Sequence, residues 1–326
     1  MARAWPRSKR SERDCRPGGR AGAVADSSGL PWAPRNFLAI TGEHGGLANA
    51  RAVLIPVPYD STTSFHSGAR EGPAAIIQSS YGLEDYDCEL DLDVSQIGIH
   101  TTAALEPHLG SPEAMVGRVR DAVRGYISLG KIVGLLGGEH SISIGAVQAY
   151  REVYSDLSVL YLDAHADLRH QYLDTSWGHA SGARRIQELC PLVLVGVRSL
   201  CQEERDYIRG QPVPTFFWSG AAHDEVPHRE ILAGLTPSVY VSVDLDVFDP
   251  SFMAAVGTPE PGGMGWYQVT SLLRAVAESR RIVGFDVSEL APREGPTACA
   301  YIAAKLVYKL LAYAATLPAR AQGHPS

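Results

Sequence analysis

The chain has 326 residues, of which 45% are apolar, and a formal net charge of −7, so it is long enough to bury the core of one large α/β domain. Its acidic residues are dispersed and no Lys/Arg cluster interleaves with aromatic residues, which argues against a nucleic-acid partner and favours a small basic ligand. Five cysteines without a Cys-x-x-Cys pair, an N-terminus lacking a secretory apolar core, and no apolar stretch of about 18 residues point to a cytoplasmic protein with no membrane partner.

Residues 1–34 are rich in Arg, Ser, Gly and Pro and carry almost no periodic apolar positions; they are expected to be a disordered extension. A single catalytic domain is expected over 35–318, followed by a tail over 319–326. From Arg51 onward short apolar runs alternate with amphipathic segments. Ala52 to Val57 is too short for a helix and rich in β-branched residues, which predicts a buried strand. Ser111-Pro112-Glu113 offers an N-cap followed by proline at the first helical position, and Met115, Val116, Val119, Val123 and Ile127 continue at helical spacing up to Gly130. Further strands are predicted at Ile132–Leu136, Leu157–Leu162, Leu192–Val197, Val239–Val243 and Ile282–Phe285, and further helices at Ile142–Tyr154, Val269–Ala277 and Ala300–Ala314. The repeating βα unit implies a three-layer α/β/α fold around a mainly parallel sheet, with ligands at the carboxyl ends of the strands.

Three polar runs fall at those ends. Gly137-Gly138-Glu139-His140-Ser141 follows the Ile132 strand, Asp163-Ala164-His165-Ala166-Asp167 follows the Leu157 strand, and Ser242-Val243-Asp244-Leu245-Asp246 closes the Val239 strand. In extended chain, residues two apart project to one side, so Asp163, His165 and Asp167 converge, as do Asp244 and Asp246. Several carboxylates buried together are prohibitive unless cations neutralise them, and four aspartates balance two divalent ions. Imidazole and carboxylate donors without thiolate suit manganese, with zinc, nickel and iron as alternatives.

These runs resemble the ureohydrolase family of arginases and agmatinases, whose signatures are Gly-Gly-Asp-His-Ser, Asp-Ala-His-x-Asp and Ser-x-Asp-x-Asp-x-x-Asp-Pro; the last matches Ser242 through Pro250. The likeness extends from about Arg51 to the C-terminal helix, including Gly68 to Pro73 and Gly257-Thr258-Pro259. It implies the arginase-like fold, two Mn²⁺ per chain, and assembly into a homo-oligomer, commonly a trimer or hexamer. By resemblance, His140 and Asp167 hold one ion, His165 and Asp246 the other, and Asp163 and Asp244 bridge both. Glu139 stands where the family more often has aspartate. The implied chemistry is attack on a guanidino carbon by water activated between the cations. Glu289 matches the acid that pairs with the planar guanidinium. His179 matches the histidine that passes a proton to the departing amine, a transfer Asp246 also has the position to relay.

Arginases read the α-carboxylate of their substrate with a Ser-x-Asn before that histidine and an Asn after the metal loop. Here the stretches are Thr175-Ser176-Trp177 and Leu168-Arg169, and Trp177 is expected to form an apolar wall. The resemblance therefore implies agmatine or N1-aminopropylagmatine as a cationic guanidino substrate in polyamine biosynthesis, with guanidinobutyrate next if Arg169 faces the pocket, and arginine after it. A catalytically silent ureohydrolase-like binding subunit is the non-enzymatic alternative, against which the intact ligand set argues.

Overall fold

The computed structural model describes residues 34–218 and 225–321, together with a short antiparallel pairing of Val24–Ala25 with Pro31–Trp32. The expected disordered extension over 1–34 and the end of the expected tail lie otherwise outside the described residues. Eight strands form one sheet: β1 (Ala52–Pro56), β2 (Ile99–Thr101), β3 (Ile132–Leu136), β4 (Leu157–Leu162), β5 (Leu192–Val197), β6 (Thr215–Phe217), β7 (Ser238–Asp244) and β8 (Arg281–Ser288). Every pairing is parallel, in the order β6-β5-β4-β7-β8-β3-β1-β2. β3 and β4 are consecutive in the chain yet separated in the sheet by β7 and β8, which enter between them later. Such a break in strand order opens a crevice at the carboxyl edge.

The period-two alternation of the strands builds two cores. Val53 and Ile55, Val159 and Tyr161, and Leu192 and Leu194 join one apolar cluster, while Leu54, Leu160 and Leu162, and Val193 and Val195 join the other. The first is covered by α2 (Pro112–Ile127), α3 (Ile142–Val153) and α4 (Gly182–Gln187), through Met115, Val119, Ala146 and Ile186. The second is covered by α1 (Gly72–Ser80), α6 (His228–Ala233), α7 (Trp266–Ser279) and α8 (Ala298–Ala321), with Ile76, Ile231, Leu272 and Leu306 among the inserted side chains. α5 (Gln202–Gly210) lies at the cleft. Ser111 caps α2 as its sequence implies, its hydroxyl oxygen accepting the Ala114 N–H at 3.1 Å.

α8 departs from the sequence expectation. Its Ala298–Leu317 window is long and apolar enough to cross a membrane, but 78% of it is buried inside the fold. It is a core helix with a buried charged anchor. Lys309, 7% exposed, places Nζ 2.6 Å from Asp87 Oδ2 and 2.7 Å from Glu89 Oε2, and Arg274 of α7 reaches Glu89 at 2.8 Å. The hairpin pairing Tyr86–Asp87 with Leu92–Asp93 is thereby fastened to α7 and α8.

Burial alone would raise the Asp87 carboxyl; hydrogen bonds from Lys309 and the Leu90 N–H, with the ammonium charge, outweigh it and hold Asp87 below the usual carboxylate range. A depressed acid contributes stability above its unfolded pKa of about 4 and loses it as pH falls. Lys309→Ala strands a buried carboxylate and is expected to cost about 3 kcal/mol at pH 7. Urea denaturation should show that deficit shrinking below about pH 4, where Asp87 takes up a proton; a deficit unchanged by pH contradicts the pairing.

Candidate binuclear metal centre

The three polar runs meet at the carboxyl ends of four neighbouring central strands, β4, β7, β8 and β3. Gly138 lets the first run pass: a Cβ there would stand 1.9 Å from the Tyr59 carbonyl oxygen, so any side chain displaces the backbone that leads to His140. His140, 1% exposed, presents Nδ1 to Asp163 Oδ2 at 3.0 Å, Asp244 Oδ2 at 3.3 Å and Asp167 Oδ2 at 3.7 Å. Behind the ring, Nε2 meets the Ser242 hydroxyl at 2.8 Å, and that hydroxyl contacts the buried Asp286 at 2.9 and 3.0 Å. Tyr161 stacks on the ring with centroids 4.3 Å apart and donates its hydroxyl to Asp167 at 2.8 Å. On the other side of Asp163, His165 Nδ1 lies 2.8 Å from Asp246 Oδ2 and 3.6 Å from Asp163 Oδ1.

Two groups of candidate ligand atoms result: His140, Asp163 and Asp244, and Asp163, His165 and Asp246, with the atoms of each within 4.8 Å of one another. Asp163 belongs to both. The family-based expectation also had Asp244 bridging and Asp167 paired with His140. In the structure Asp244 joins the first group only, its Oδ1 accepting the Asp246 N–H at 2.8 Å, and Asp167 lies beside that group.

The electrostatics of these groups suit a cation. Burial, then the charges of Asp246 and Asp163, push the Asp244 carboxyl well up. Burial and Asp163 do the same to Asp167. Burial opposes charge on His140 and His165 as well, but the surrounding carboxylates outweigh it and raise both imidazoles. Asp163 is lowered, because the two imidazoles outweigh its own burial. The clustered carboxylates thus favour positive charge at this site. Oxygen and imidazole donors with no thiolate suit a divalent ion such as manganese.

A cleft of about 260 Å³ opens over the centre, lined by His140, His165, Asp167, Asp244, Asp246, His179 and Glu289, and also by Phe65, Arg169 and Tyr172. Glu289 sits just past β8 with φ of 66°, and Asp167 has φ of 51°. Both hold the left-handed backbone that non-glycine residues avoid unless their surroundings enforce it. Glu289 is held by its N–H donating to the Gly138 carbonyl at 2.8 Å and by Oε1 accepting the His140 N–H at 2.7 Å. Burial, then the nearby Glu139, push its carboxyl up to about 8. His179 begins a short 3-10 turn (His179–Ser181); burial, then the neighbouring His165, bring its imidazole down to about 4.

Trp177, expected to wall the substrate site, is half-buried outside the residues lining the cleft, its N–H donating to Thr175 Oγ1 at 3.1 Å. Tyr172 and Phe65 supply the aromatic surface. Arg169 does face the cleft, with its guanidinium 4.7 Å from the Tyr172 ring centroid. Arg70 pairs with the buried Asp60 and does not line the cleft. Sequence reasoning also passed over Arg198, whose guanidinium donates to the carbonyls of Asp246 at 2.7 Å, Phe248 at 3.2 Å and Glu260 at 2.6 Å. It ties the Asp246 turn to the loop carrying Gly257 and Thr258.

The pattern of the arginase family, as a whole, matches residues 50–312. The N(1)-aminopropylagmatine ureohydrolase of Synechocystis sp. is 38% identical over 291 residues, covering 86% of this chain and 94% of its own. That of Thermus thermophilus is 40% identical over 260 residues, covering 79% and 88%. Among solved structures, the agmatine ureohydrolase of Thermoplasma volcanium superposes with a TM-score of 0.77 at 28% identity, covering 87% of this chain and 95% of its own. With the metal-ligand geometry and fold already in place, these matches make the chain a member of the arginase family, a hydrolase acting on guanidino C–N bonds.

Proposed function

We propose that the protein binds two Mn²⁺ ions and hydrolyses agmatine or N1-aminopropylagmatine to urea and the corresponding amine, in the cytoplasm, as a step of polyamine synthesis. The observation carrying this reading is the pair of ligand groups sharing Asp163 beneath a cleft that also holds Glu289 and His179. His140, Asp163, His165, Asp167, Asp244 and Asp246 would hold the ions. When bound, the ions supply an activated water and an electrostatic sink for the charge that develops at the guanidino carbon.

The remaining work falls to side chains. Glu289 takes the guanidinium, whose arrival supplies the counter-charge that its burial lacks. His179 is neutral at pH 7, ready to accept a proton. Hydrolysis forms one C–O bond and breaks one C–N bond, and a guanidinium plus water becomes an alkylammonium plus urea with no net proton exchanged with solvent. Both water protons therefore travel to the departing nitrogen, and His179 at the cleft wall, with Asp246 as a second relay, is placed to carry them. Arg169, which lines the cleft, favours a second reading, guanidinobutyrate, because its guanidinium could pair with a substrate carboxylate. The two relatives named above, both N(1)-aminopropylagmatine ureohydrolases, favour the first.

Urea release from manganese-loaded protein, measured with agmatine, aminopropylagmatine, guanidinobutyrate and arginine side by side, separates these readings. Highest kcat/KM is expected on one of the first two, and no urea from any substrate defeats the proposal. Asp163→Ala should lose metal and activity together. His179→Ala should keep its metal and lose at least about a hundredfold in kcat; full activity removes His179 from the mechanism.

Metal binding also has a pH signature. Glu289 binds its proton more tightly folded than unfolded, from 4.5 up to about 8, and Asp167 and Asp244 shift in the same direction. Stability linked to such raised acids is complete below the unfolded pKa and lost as pH rises through the folded one. Melting of the chelated protein should therefore fall in temperature between about pH 4.5 and 8. Manganese at a hundredfold excess over Kd should restore about 2.7 kcal/mol per site, or roughly 5 °C in Tm. A melting curve indifferent to chelator and manganese at pH 8 counts against a metal centre.

A further inference from the structure

Glu139 is 0% exposed, beside the centre yet outside both ligand groups. Its carboxylate is turned away from the metal ligands and towards the loop after β1. Oε1 accepts the Thr62 hydroxyl at 2.5 Å and the Ser141 hydroxyl at 2.6 Å, and Oε2 accepts the Thr62 N–H at 2.6 Å. Thr62 in turn touches His179 twice: Oγ1 accepts the His179 backbone N–H at 3.1 Å and lies 3.4 Å from the ring Nδ1. The other ring nitrogen, Nε2, lies 3.2 Å from the Ser64 hydroxyl, and Ser64 and His179 both line the cleft.

A threonine hydroxyl has one proton and two lone pairs. The 2.5 Å contact to an acid outcompetes the 3.4 Å contact to a ring nitrogen for that proton, so Oγ1 faces His179 as an acceptor. One lone pair takes the backbone N–H, and the other remains for the ring. An acceptor opposite Nδ1 favours the tautomer with the proton on Nδ1 and the lone pair on Nε2. We propose that Glu139, acting through Thr62, is a positioning residue that holds His179 as the Nδ1–H tautomer and so keeps Nε2 as the proton-accepting atom. This extends the proposed proton-carrying role of His179 and rests on it. Glu139 and Thr62 need touch neither substrate nor metal.

The arrangement explains the position of the Thr62 loop. Thr62 N–H and Oγ1–H close on one carboxylate, and a Cβ on Gly178, next to His179, would stand 3.0 Å from Thr62 Oγ1. Loop and histidine turn are packed against each other without room for a larger neighbour.

The test reads the ring directly. Long-range ¹H–¹⁵N spectra of the full-length, histidine-labelled protein at pH 8, free of paramagnetic metal and assigned with His179→Ala, should show Nδ1 protonated and Nε2 bare. Thr62→Val keeps the β-branched shape, removes the acceptor, and should shift His179 towards the Nε2–H form. In the manganese-loaded enzyme it should lower kcat about tenfold with KM and bound manganese unchanged, and Thr62→Ser should restore both tautomer and rate. Glu139→Gln places an amide donor against Thr62 Oγ1, which turns the hydroxyl proton towards Nδ1, and should give the Nε2–H form. Wild-type His179 found as Nε2–H, or a tautomer unmoved by both Thr62→Val and Glu139→Gln, overturns the inference. Because the spectra need no substrate, that result stays separate from a failure of the assigned reaction or of His179 to take part in it.

Discussion

Four carboxylates cannot share a dry pocket on their own. Desolvation of each ion and repulsion among them set the condition that the rest of this structure meets. Asp163, Asp167, Asp244 and Asp246 are all nearly or fully buried. They come from the ends of two adjacent strands, β4 and β7, with His140 from β3 across the sheet. A parallel sheet is suited to this, because its carboxyl ends deliver side chains from several strands to one edge and its strands stay apolar below that edge. Divalent cations held among the four aspartates would balance these charges. The raised imidazoles of His140 and His165 and the raised acids Asp167 and Asp244 reflect the same demand for positive charge.

The central strands were legible because they are continuous runs of Val, Ile and Leu bounded by polar residues. β3, β4 and β5 match their expected limits residue for residue, and β7 and β8 are longer by a few residues at their ends. Edge strands β2 and β6 have three residues each, too few for a period to register, and α4 and α6 have six each. α1 was missed for a different reason: Gly72-Pro73 reads as a turn, although proline at the start of a helix is favourable. The length of α8 was underread because Lys305 and Lys309 interrupt its apolar run; burial of Lys309 against Asp87 and Glu89 depends on a hairpin more than 200 residues earlier.

Within the centre, the polar runs at the strand ends marked the region, and five of the six expected ligands fall into the two groups, although Asp167 is left-handed and Asp246 sits in a 3-10 turn where extended chain was expected. What lies one contact further out was not legible. Trp177 was placed in the cleft by its nearness to His179 in sequence, but the turn between them directs it elsewhere, and Tyr172 and Phe65 take the aromatic positions. Thr62, Asp286 and Arg198 belong to none of the three polar runs, and Ser242 opens one of them without an assigned role. Each matters only through a partner brought near by folding, as with Ser242, which stands between His140 and Asp286, or Arg198, which binds carbonyls from two loops.

These outer contacts decide whether a set of candidate ligands can form a usable centre. A histidine ligand is directional, and the nitrogen away from the metal needs a partner to fix the ring. His140 has that partner in Ser242 and Asp286, and its plane is further held by the face of Tyr161. The same logic applies to the backbone. Asp167 and Glu289 sit at φ of 51° and 66°, a conformation costing roughly 1 kcal/mol or more at each residue. It is retained where Tyr161 grips the Asp167 carboxylate and where Gly138 and His140 grip Glu289 from two sides. Of the left-handed non-glycine residues, these two line the cleft, and the hydrogen bonds holding Glu289 come from the same Gly137–Ser141 run that supplies His140. That run therefore sets three things together: the candidate ligand His140, the posture of Glu289 and, through Glu139, the surroundings of His179.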